Sequence, residues 1–195
     1  MYSSVMILAA GAEAVIELTD GVVVKHRIEK KYRLSNIDVK LRRERTRAEA
    51  KIMSAARRLG VSTPIIYDLD TVDIVMEYID GTPLKHVIDT TLVKRAGEMV
   101  GILHRGGIIH GDLTTSNMLY HNDRIYLIDF GLAFFDTSTE ARGVDVHVFF
   151  QTLKSSHEKP EELKTAFMNG YRMVLAEADQ VFHRVREIEK RGRYT

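Results

Sequence analysis

The stretch that decides the interpretation is G-I-I-H-G-D-L-T-T-S-N-M-L-Y-H-N-D-R-I-Y-L-I-D-F-G, residues 107–131. It contains His110-Gly111-Asp112-Leu113, then Asn117, and it ends in Asp129-Phe130-Gly131. Both motifs come just after a short apolar run, which is typical of loop residues that a strand holds in place. A hairpin-like H-N-D-R turn separates them, so we expect their polar side chains on neighbouring loops.

These residue types fit the chemistry of phosphoryl transfer. That reaction needs cations to neutralise the phosphates and one carboxylate to orient the attacking hydroxyl group. Asp112 is the candidate catalytic base, while Asn117 and Asp129 offer the hard oxygen ligands that Mg²⁺ takes in proteins. The alternative is that Asp and Asn merely form turns after strands. Two motifs in the right order, each in its expected context, favour the catalytic interpretation.

The two motifs resemble the catalytic and metal-binding loops of protein kinases, with two departures. Position 111 is Gly, where the common motif has Arg, the residue that normally holds a phosphorylated activation loop. Only 16 positions separate Asp129 from Asp145, which we take as the start of the next helix, and no A-P-E occurs between them. We therefore expect a truncated activation segment, no activation-loop switch, no usual platform for a peptide substrate, and regulation by a partner protein.

Length and composition limit the possible classes of protein. The 195 residues, 45% of them hydrophobic, suffice for one ordinary domain or two small lobes. Charged residues nearly cancel to +1, so the net charge indicates no class of partner. The absence of cysteine excludes disulfides and thiolate metal sites. No apolar run approaches the ~20 residues of a membrane span, and no basic region precedes the first apolar run, so we expect a cytoplasmic protein.

Residues 1–79 are predicted to form a first lobe of antiparallel strands around one long helix. The small-residue turn Gly11-Ala12-Glu13-Ala14 lies between the first two strands, where backbone N–H groups can contact a phosphate. An ordinary hairpin explains the same four residues when they are taken alone. The predicted strands cover 5–8, 15–18, 22–25, 65–69 and 74–79, with a tight turn at Asp20-Gly21.

Lys25 ends the third predicted strand, at the position of the lysine that contacts nucleotide phosphates in the V-A-I-K pattern. Such a lysine needs an acidic partner on the long helix, predicted over 38–59 with Asp38 as N-cap and Gly60 as stop. Glu49 lies at the edge of the apolar stripe of that helix, so we expect it to pair with Lys25. The alternatives are Glu44, one turn earlier, and a solvated Glu49 in a charge-rich helix.

The last predicted strand of the first lobe leads into Asp80-Gly81, a composition that suits a hinge between lobes. The backbone of Glu77 and Ile79 is then expected to pair with the adenine edge, with the Met76 side chain behind it. Residues 80–195 are predicted to form a mainly helical second lobe. Its helices cover 92–103, 144–153, 160–174 and 177–191, and His147, His157 and His183 are interpreted as ordinary helix residues.

Across its whole length the chain resembles the small atypical kinase subunit of the KEOPS complex, the p53-related kinase family of archaea and eukaryotes. The resemblance implies an α+β fold: a minimal bilobal kinase with an antiparallel-sheet N-lobe, a mainly helical C-lobe and a truncated activation segment. It rests on G-A-E-A at 11–14, R-T-R-A-E-A at 45–50, I-I-H-G-D-L-T-T-S-N-M at 108–118, I-D-F-G-L-A at 128–133 and R-G-R-Y at 191–194.

Several functional expectations follow from this resemblance. It implies ATP hydrolysis and serine/threonine phosphorylation with ATP and Mg²⁺. Lys25 would bind ATP and pair with Glu49, Asp112 would be the base, and Asn117 and Asp129 would bind Mg²⁺. The implied partner is the threonylcarbamoyl transferase subunit, whose activity the kinase regulates during threonylcarbamoyl-adenosine formation in tRNA. The basic C-terminal tail would lie near the tRNA, and a chain without a fused partner domain suggests an archaeal source.

Three other classes of protein remain possible. A RIO-type atypical kinase of ribosome maturation also lacks the activation loop, but we expect that family to depart from Asp129-Phe130-Gly131. An antibiotic or choline phosphotransferase shares H-G-D, yet it needs a larger second lobe for its substrate pocket. A pseudokinase-like scaffold would bind nucleotide only to hold a partner, although all the catalytic carboxylates are present.

Overall fold

The computed structural model describes residues 5–191, and they form two compact units. The first unit ends at Ser54 and also includes Pro64–Asp80, while the second includes Ala55–Thr63 and the chain from Gly81 onward. Residues 55–63, which lie inside the predicted 1–79 lobe, thus pack with the second unit. The α+β class is confirmed, with an antiparallel sheet in the first unit and mainly helices in the second.

The first unit contains a five-stranded antiparallel sheet in which the first three strands are neighbours in chain order and the fifth strand lies between the third and the fourth. Asp20 and Gly21 both have positive φ, 51° and 81°, so the predicted two-residue turn between the second and third strands is confirmed. The last strand ends at Glu77, two residues earlier than predicted. The strands are β1 Met6–Ala10, β2 Ala14–Thr19, β3 Val22–Arg27, β4 Ile66–Leu69 and β5 Asp73–Glu77.

The long helix α1 covers Ser35–Arg58, so it begins three residues before the predicted start. The prediction that Asp38 is the N-cap is therefore wrong. Asp38 lies in the first turn, fully buried, where its carboxylate accepts from Arg42 Nε at 2.6 Å and from the Lys30 backbone N–H at 3.2 Å. Burial raises the pKa of Asp38, but these two hydrogen bonds together with the charges of Arg42 and Arg33 outweigh it and hold the pKa below its ordinary value.

The end of α1 follows the prediction. Gly60 has a φ of +93°, its N–H donates to Arg57 O at 3.0 Å, and the Val61 N–H donates to Ala56 O at 3.2 Å. This pair of bonds is the Schellman motif, which needs a residue in the left-handed region and so favours glycine.

The second unit packs its helices around a buried aromatic cluster of Phe149, Phe167, Tyr171 and Phe182. No helix within residues 5–191 combines the length and apolar character that crossing a bilayer requires. The strands are β6 Thr82–Pro83, β7 Ile108–Ile109, β8 Met118–His121, β9 Arg124–Leu127 and β10 Phe134–Phe135. The helices are α2 Leu84–Val87, α3 Thr90–Arg105, α4 Thr139–Ser156, α5 Pro160–Arg172 and α6 Ala178–Arg191, with a 3-10 turn at Thr115–Asn117.

Two expectations for the second unit need correction. Helix α4 begins at Thr139 with the Ser138 side chain as its cap, because the Ala141 N–H donates to Ser138 Oγ. Asp145 is therefore inside the helix, not at its start. His157 lies just past α4, where its Nε2 is 3.3 Å from Thr115 Oγ1, so it is not a helix residue.

Candidate active site

The three polar residues of the central stretch lie close together in the second unit. Asn117 Nδ2 donates to Asp112 Oδ2 and to the Asp112 carbonyl oxygen, both at 2.9 Å. The Ile128 N–H donates to the Asn117 carbonyl at 2.9 Å, and Asp129 is the residue that follows Ile128 in the chain. Because β8 pairs with β9 in antiparallel register, the loops before and after this hairpin meet, as the sequence predicts.

Asp129 has an unusual backbone conformation. Its φ is +59°, in the left-handed region that residues other than glycine rarely adopt, and its side chain is exposed. Phe130 is buried with its ring 5.0 Å from that of His110, and His110 Nε2 donates to the Ile128 carbonyl at 3.0 Å. The buried Phe130 ring and the bonded Ile128 carbonyl therefore hold Asp129 in a strained conformation, a feature that concentrates at functional sites.

A residue that the sequence pattern did not indicate anchors the loop before Asp112. Asp145 is buried in α4, where its carboxylate accepts from the backbone N–H groups of His110 and Gly111, both at 2.9 Å. His104 Nε2 donates to the same carboxylate at 3.0 Å. Burial raises the pKa of Asp145, but the hydrogen bonds from His104 and the His110 backbone lower it below its ordinary value. An acidic residue within the apolar helical run 144–150 was the available signal.

The same network reaches α5 through His104. Its Nδ1 lies 2.7 Å from the Tyr171 hydroxyl, and the two rings meet edge to face with centroids 5.7 Å apart. Burial raises the pKa of Tyr171 well above its ordinary value, so the hydroxyl keeps its proton. Helices α3, α4 and α5 thus share one buried polar network that ends at the loop carrying Asp112.

Gly111 has a steric reason to be glycine. Its φ is +80°, and a Cβ atom there would lie 2.3 Å from the Leu132 carbonyl oxygen. No side chain fits at that distance, so the arginine of the common kinase motif is excluded from position 111 in this backbone.

The predicted ion pair of the first unit is present. Lys25 Nζ lies 2.6 Å from Glu49 Oε1, and both side chains are buried. Glu44 is exposed and makes no hydrogen bond or ion pair with the residues that the structure describes, so it is not the partner of Lys25. The second carboxylate oxygen of Glu49 accepts from Arg27 Nη2 at 2.5 Å, a contact that the sequence pattern did not indicate. Arg27 follows Lys25 by two positions in β3, so both point to the same face of the sheet.

The turn between β1 and β2 is held by its own contacts. The Gly11 N–H donates to the Ala14 carbonyl at 3.0 Å, and Lys30 donates to the Ala12 carbonyl. Glu13 forms an ion pair with Arg45 at 2.9 Å. These contacts define an ordinary hairpin turn, and a role for its backbone in binding phosphate stays a prediction.

The predicted adenine-binding residues belong to the end of β5 and the segment after it. Met76 and Ile79 are buried, and the Glu77 N–H donates to the Ile65 carbonyl at 2.8 Å. Ile65 returns a backbone hydrogen bond to Glu77 Oε2 at 3.0 Å. Their contact with adenine stays a prediction.

Asn117 and Asp129 fit a magnesium ion that is shared with phosphate groups. Asn117 uses its amide N–H group on Asp112, and its Oδ1 accepts no hydrogen bond from the described residues. Within residues 5–191, no three His, Cys, Asp or Glu side chains gather into a metal cage. Mg²⁺ is usually bound through one or two carboxylates together with substrate phosphates and water, so two protein ligands match its requirements.

Comparison with known proteins places these features in a family. The RIO domain model matches residues 16–144. The "Probable bifunctional tRNA threonylcarbamoyladenosine biosynthesis protein" of Methanosarcina mazei is 53% identical over 193 residues, which are 96% of this chain and 35% of that protein. The chain thus spans about a third of the length of the first curated relatives it matches.

Two relatives match over nearly their whole length. The "Probable serine/threonine-protein kinase BUD32 homolog" of Archaeoglobus fulgidus is 51% identical over 94% of both chains. The "KEOPS complex subunit Bud32" of Pyrococcus abyssi is 40% identical over 96% of both.

Among solved structures, the Rio2 kinase of Chaetomium thermophilum, in its ADP/Mg²⁺-phosphoaspartate complex, superposes with a TM-score of 0.63 at 17% identity. The match covers 97% of this chain and 72% of the Rio2 chain, which shows a kinase-like fold. The expectation that an intact Asp129-Phe130-Gly131 sets the chain apart from RIO proteins is wrong at the level of the family, because the matched region contains that motif. The chain therefore belongs to the RIO-domain family and, within it, to the same group as the two Bud32 relatives.

Proposed function

We propose that this chain is an ATP- and Mg²⁺-dependent atypical serine/threonine kinase or ATPase of a KEOPS complex. It regulates the threonylcarbamoyl transferase subunit in threonylcarbamoyl-adenosine modification of tRNA, in the cytoplasm. The observation that carries the enzymatic part is the hydrogen bond from Asn117 to the Asp112 carboxylate, directly beside Asp129. The names of the Methanosarcina and Pyrococcus relatives support the pathway and the complex.

Each residue has a defined task in this proposal. Asp112 accepts the proton of the attacking hydroxyl group or water, and the Asn117 amide fixes the orientation of its carboxylate. Asn117 Oδ1 and Asp129 would hold Mg²⁺, which when bound neutralises phosphate charge. Lys25, oriented by Glu49, contacts the phosphates.

The remaining binding residues serve the nucleotide through their backbone. The Gly11-Ala12-Glu13-Ala14 turn faces the phosphates, and Glu77 and Ile79 pair with adenine in front of Met76. These assignments rest on chain order and on the resemblance to kinases.

Regulation is assigned to the partner protein. Helix α4 starts at Thr139, so the segment after Asp129-Phe130-Gly131 is even shorter than the sequence predicts. A segment of that length leaves little chain for a phosphorylation switch, and control from another subunit is the simplest substitute.

The tRNA contact is assigned to the basic C-terminal end. Lys190 and Arg191 close α6, and the rest of that tail lies outside the described residues.

ATP turnover of the purified protein tests the enzymatic proposal. We expect Asp112→Asn to lower turnover by about 10²–10⁴-fold, the usual contribution of a general base. Asp123→Asn is the matched control, because Asp123 is an exposed acid of the β8–β9 hairpin whose side chain contacts Arg95 and Tyr120. Equal turnover by wild type and Asp112→Asn would remove Asp112 from catalysis and favour a nucleotide-binding scaffold.

A RIO-type kinase of ribosome maturation is the second candidate. The match of the RIO domain model to residues 16–144 and the fold shared with Rio2 favour it. The two candidates share the same catalytic residues and differ in the partner, so only the partner separates them.

A further inference from the structure

Arg27 and Lys25 hold the same carboxylate from two sides. Glu49 Oε1 contacts Lys25 Nζ at 2.6 Å, and Glu49 Oε2 contacts Arg27 Nη2 at 2.5 Å. All three side chains are at least nine-tenths buried. The guanidinium of Arg27 has Glu49 as its acidic partner within the described residues, so each oxygen of this glutamate is committed to a different cation.

The backbone of Arg27 is also a junction between elements. Its carbonyl oxygen accepts from Arg42 Nη1 at 3.2 Å, and its N–H donates to the Val72 carbonyl at 3.3 Å. The buried Thr46 hydroxyl donates to the same Val72 carbonyl at 3.2 Å. Positions 42, 46 and 49 fall on one face of α1, because they are spaced by four and three residues. That face therefore contacts Arg27 directly from positions 42 and 49, and position 46 bonds the Val72 carbonyl that the Arg27 N–H also bonds.

This arrangement is costly unless it has a purpose. A second buried cation beside Glu49 adds a desolvation penalty. The contacts of Arg27 offset this penalty only in part, because its buried Nε makes no hydrogen bond with the described residues. In some proteins, buried ionic groups are retained because they fix one geometry.

We propose that Arg27 is a positioning residue that keeps Glu49, and with it α1, in the arrangement that presents Lys25 to phosphate. In protein kinases the Lys–Glu pair must be in place for activity, and activation-loop phosphorylation and the position of the helix control it. Here a residue fixed in β3 replaces that control, which fits a chain whose activation segment is short. The inference rests on the proposed function, since it assigns Lys25 to nucleotide phosphates.

Arg27→Met tests the inference while keeping the fold. Met has a similar length and no charge, and Glu49 still has Lys25 as a cationic partner after the change. We expect calorimetry to show a loss of about tenfold or more in ATP affinity. A change of this size is within the usual coupling between residues that contact each other, as Arg27 and Glu49 do. Adenosine affinity should be unchanged, because adenosine lacks phosphates. Arg27→Lys should restore part of the loss, since it returns a cation to Glu49.

Arg47→Met is the matched control on the same helix. Arg47 is exposed and makes no ion pair or hydrogen bond with the residues that the structure describes, so ATP affinity should match that of wild type. If Arg27→Met only lowers the melting temperature and leaves ATP affinity unchanged below the transition, Arg27 has a structural role and the inference is wrong.

Hydrogen exchange of the protein without nucleotide separates this inference from the proposed function. We expect the α1 amides around Glu49 to exchange faster in Arg27→Met than in wild type, because the contact between Arg27 and Glu49 is lost. If wild type fails to bind ATP, the proposed function is wrong, and this exchange result still decides whether Arg27 holds α1. Unchanged exchange would overturn the inference whatever the nucleotide result.

A charge comparison gives an independent check on the route through Glu49. Glu49→Gln leaves the buried Arg27 without its carboxylate, which should destabilise the protein strongly. Adding Arg27→Met removes that uncompensated charge, so the double variant should melt at a higher temperature than Glu49→Gln alone. A double variant that is less stable than both single variants would show that Arg27 does not act through Glu49.

Discussion

At the scale of single residues, Asp145 holds the loop that carries the candidate base Asp112. Its two carboxylate oxygens accept three hydrogen bonds, from two consecutive backbone N–H groups and from His104. Those N–H groups belong to the residues just before Asp112, so Asp145 fixes the path of the chain into the candidate base. A carboxylate suits this task because it has only acceptors, and all its neighbours here are donors.

Asp145→Asn should lower the free energy of unfolding at neutral pH by about 1.5–3 kcal/mol, the range for hydrogen bonds to charged groups. The amide places a donor against backbone N–H groups or His104, so at least one contact is lost. The pKa of Asp145 is lower in the folded than in the unfolded state, so its contribution is complete above its ordinary value near 3.8. As the pH falls below that value and Asp145 becomes protonated in the folded protein, the contribution is lost.

Urea unfolding at a series of pH values measures this difference. The gap between wild type and Asp145→Asn should narrow as the pH falls from about 7 to about 2. Asp123→Asn serves as the control for an exposed aspartate. A gap that stays constant over the whole range would mean that the charge of Asp145 does not stabilise the fold.

The candidate residues that the sequence indicates differ in a physical way from those that only the structure indicates. Asp112, Asn117 and Asp129 are recognisable because their chemistry needs fixed residue types at fixed spacing in one stretch of chain. Arg27 and Asp145 have no such local signature, since each acts through a partner at least 22 positions away in the chain. A charged residue in a buried position finds its partner through the fold, and the fold is what the local pattern does not contain.

At the scale of elements, α3 and α5 approach each other closely enough for glycine to be required. A Cβ atom on Gly97 would lie 2.2 Å from the Phe167 carbonyl oxygen, and one on Gly170 would lie 1.9 Å from the Lys94 carbonyl oxygen. The obstacles are backbone atoms of the facing helix, which move only if the whole helix moves. Since α3 carries His104 and α5 carries Tyr171, this close packing brings the two side chains into hydrogen-bonding distance.

Gly97→Ala should therefore lower the free energy of unfolding by about 1–3 kcal/mol through overpacking. Helix propensity works in the opposite direction, because Ala in a helix interior is favoured over Gly by about 1 kcal/mol. Gly106→Ala is the control at the end of α3. The nearest obstacle there is Leu59 Cδ1, at the end of a flexible side chain that can turn away. Chemical denaturation that finds Gly97→Ala as stable as wild type would contradict the backbone contact.

Element boundaries were predictable where a backbone requirement marks them. Gly60 and the Asp20-Gly21 turn lie where the sequence places them, because each position needs a left-handed conformation. The predicted start of α1 was wrong because Asp38, a common capping residue, lies inside the first turn of this helix. Its buried carboxylate accepts from Arg42, one turn further along the same helix, and from the Lys30 backbone N–H, and these contacts outweigh the capping preference.

At the scale of the whole molecule, the partner is the property that the chain itself reveals least. The fold and the chemistry follow from motifs, but a surface that binds another protein has no fixed spacing of residue types. The partner in our proposal therefore comes from the names of relatives, since this chain matches a third of one set of relatives and nearly all of another. Among these relatives the same module thus occurs both joined to other sequence and nearly alone.

Co-purification from native lysate distinguishes the two candidate functions. We expect the protein to recover the threonylcarbamoyl transferase subunit together with tRNA, whereas ribosomal precursors would favour the RIO-type alternative.

A variant that ends at Lys190 lacks Arg191 and Arg193 and should keep the transferase but bind tRNA more weakly. The slope of log K against log salt is negative, and each lost phosphate contact reduces its magnitude by about 0.7–0.9. Two lost arginines should therefore reduce the magnitude by about 1.5. The double variant Arg43→Met/Arg47→Met removes the same charge from the exposed side of α1 and is the control. An equal change of slope in both variants would mean that tRNA responds to total charge and that the C-terminal end is not its site.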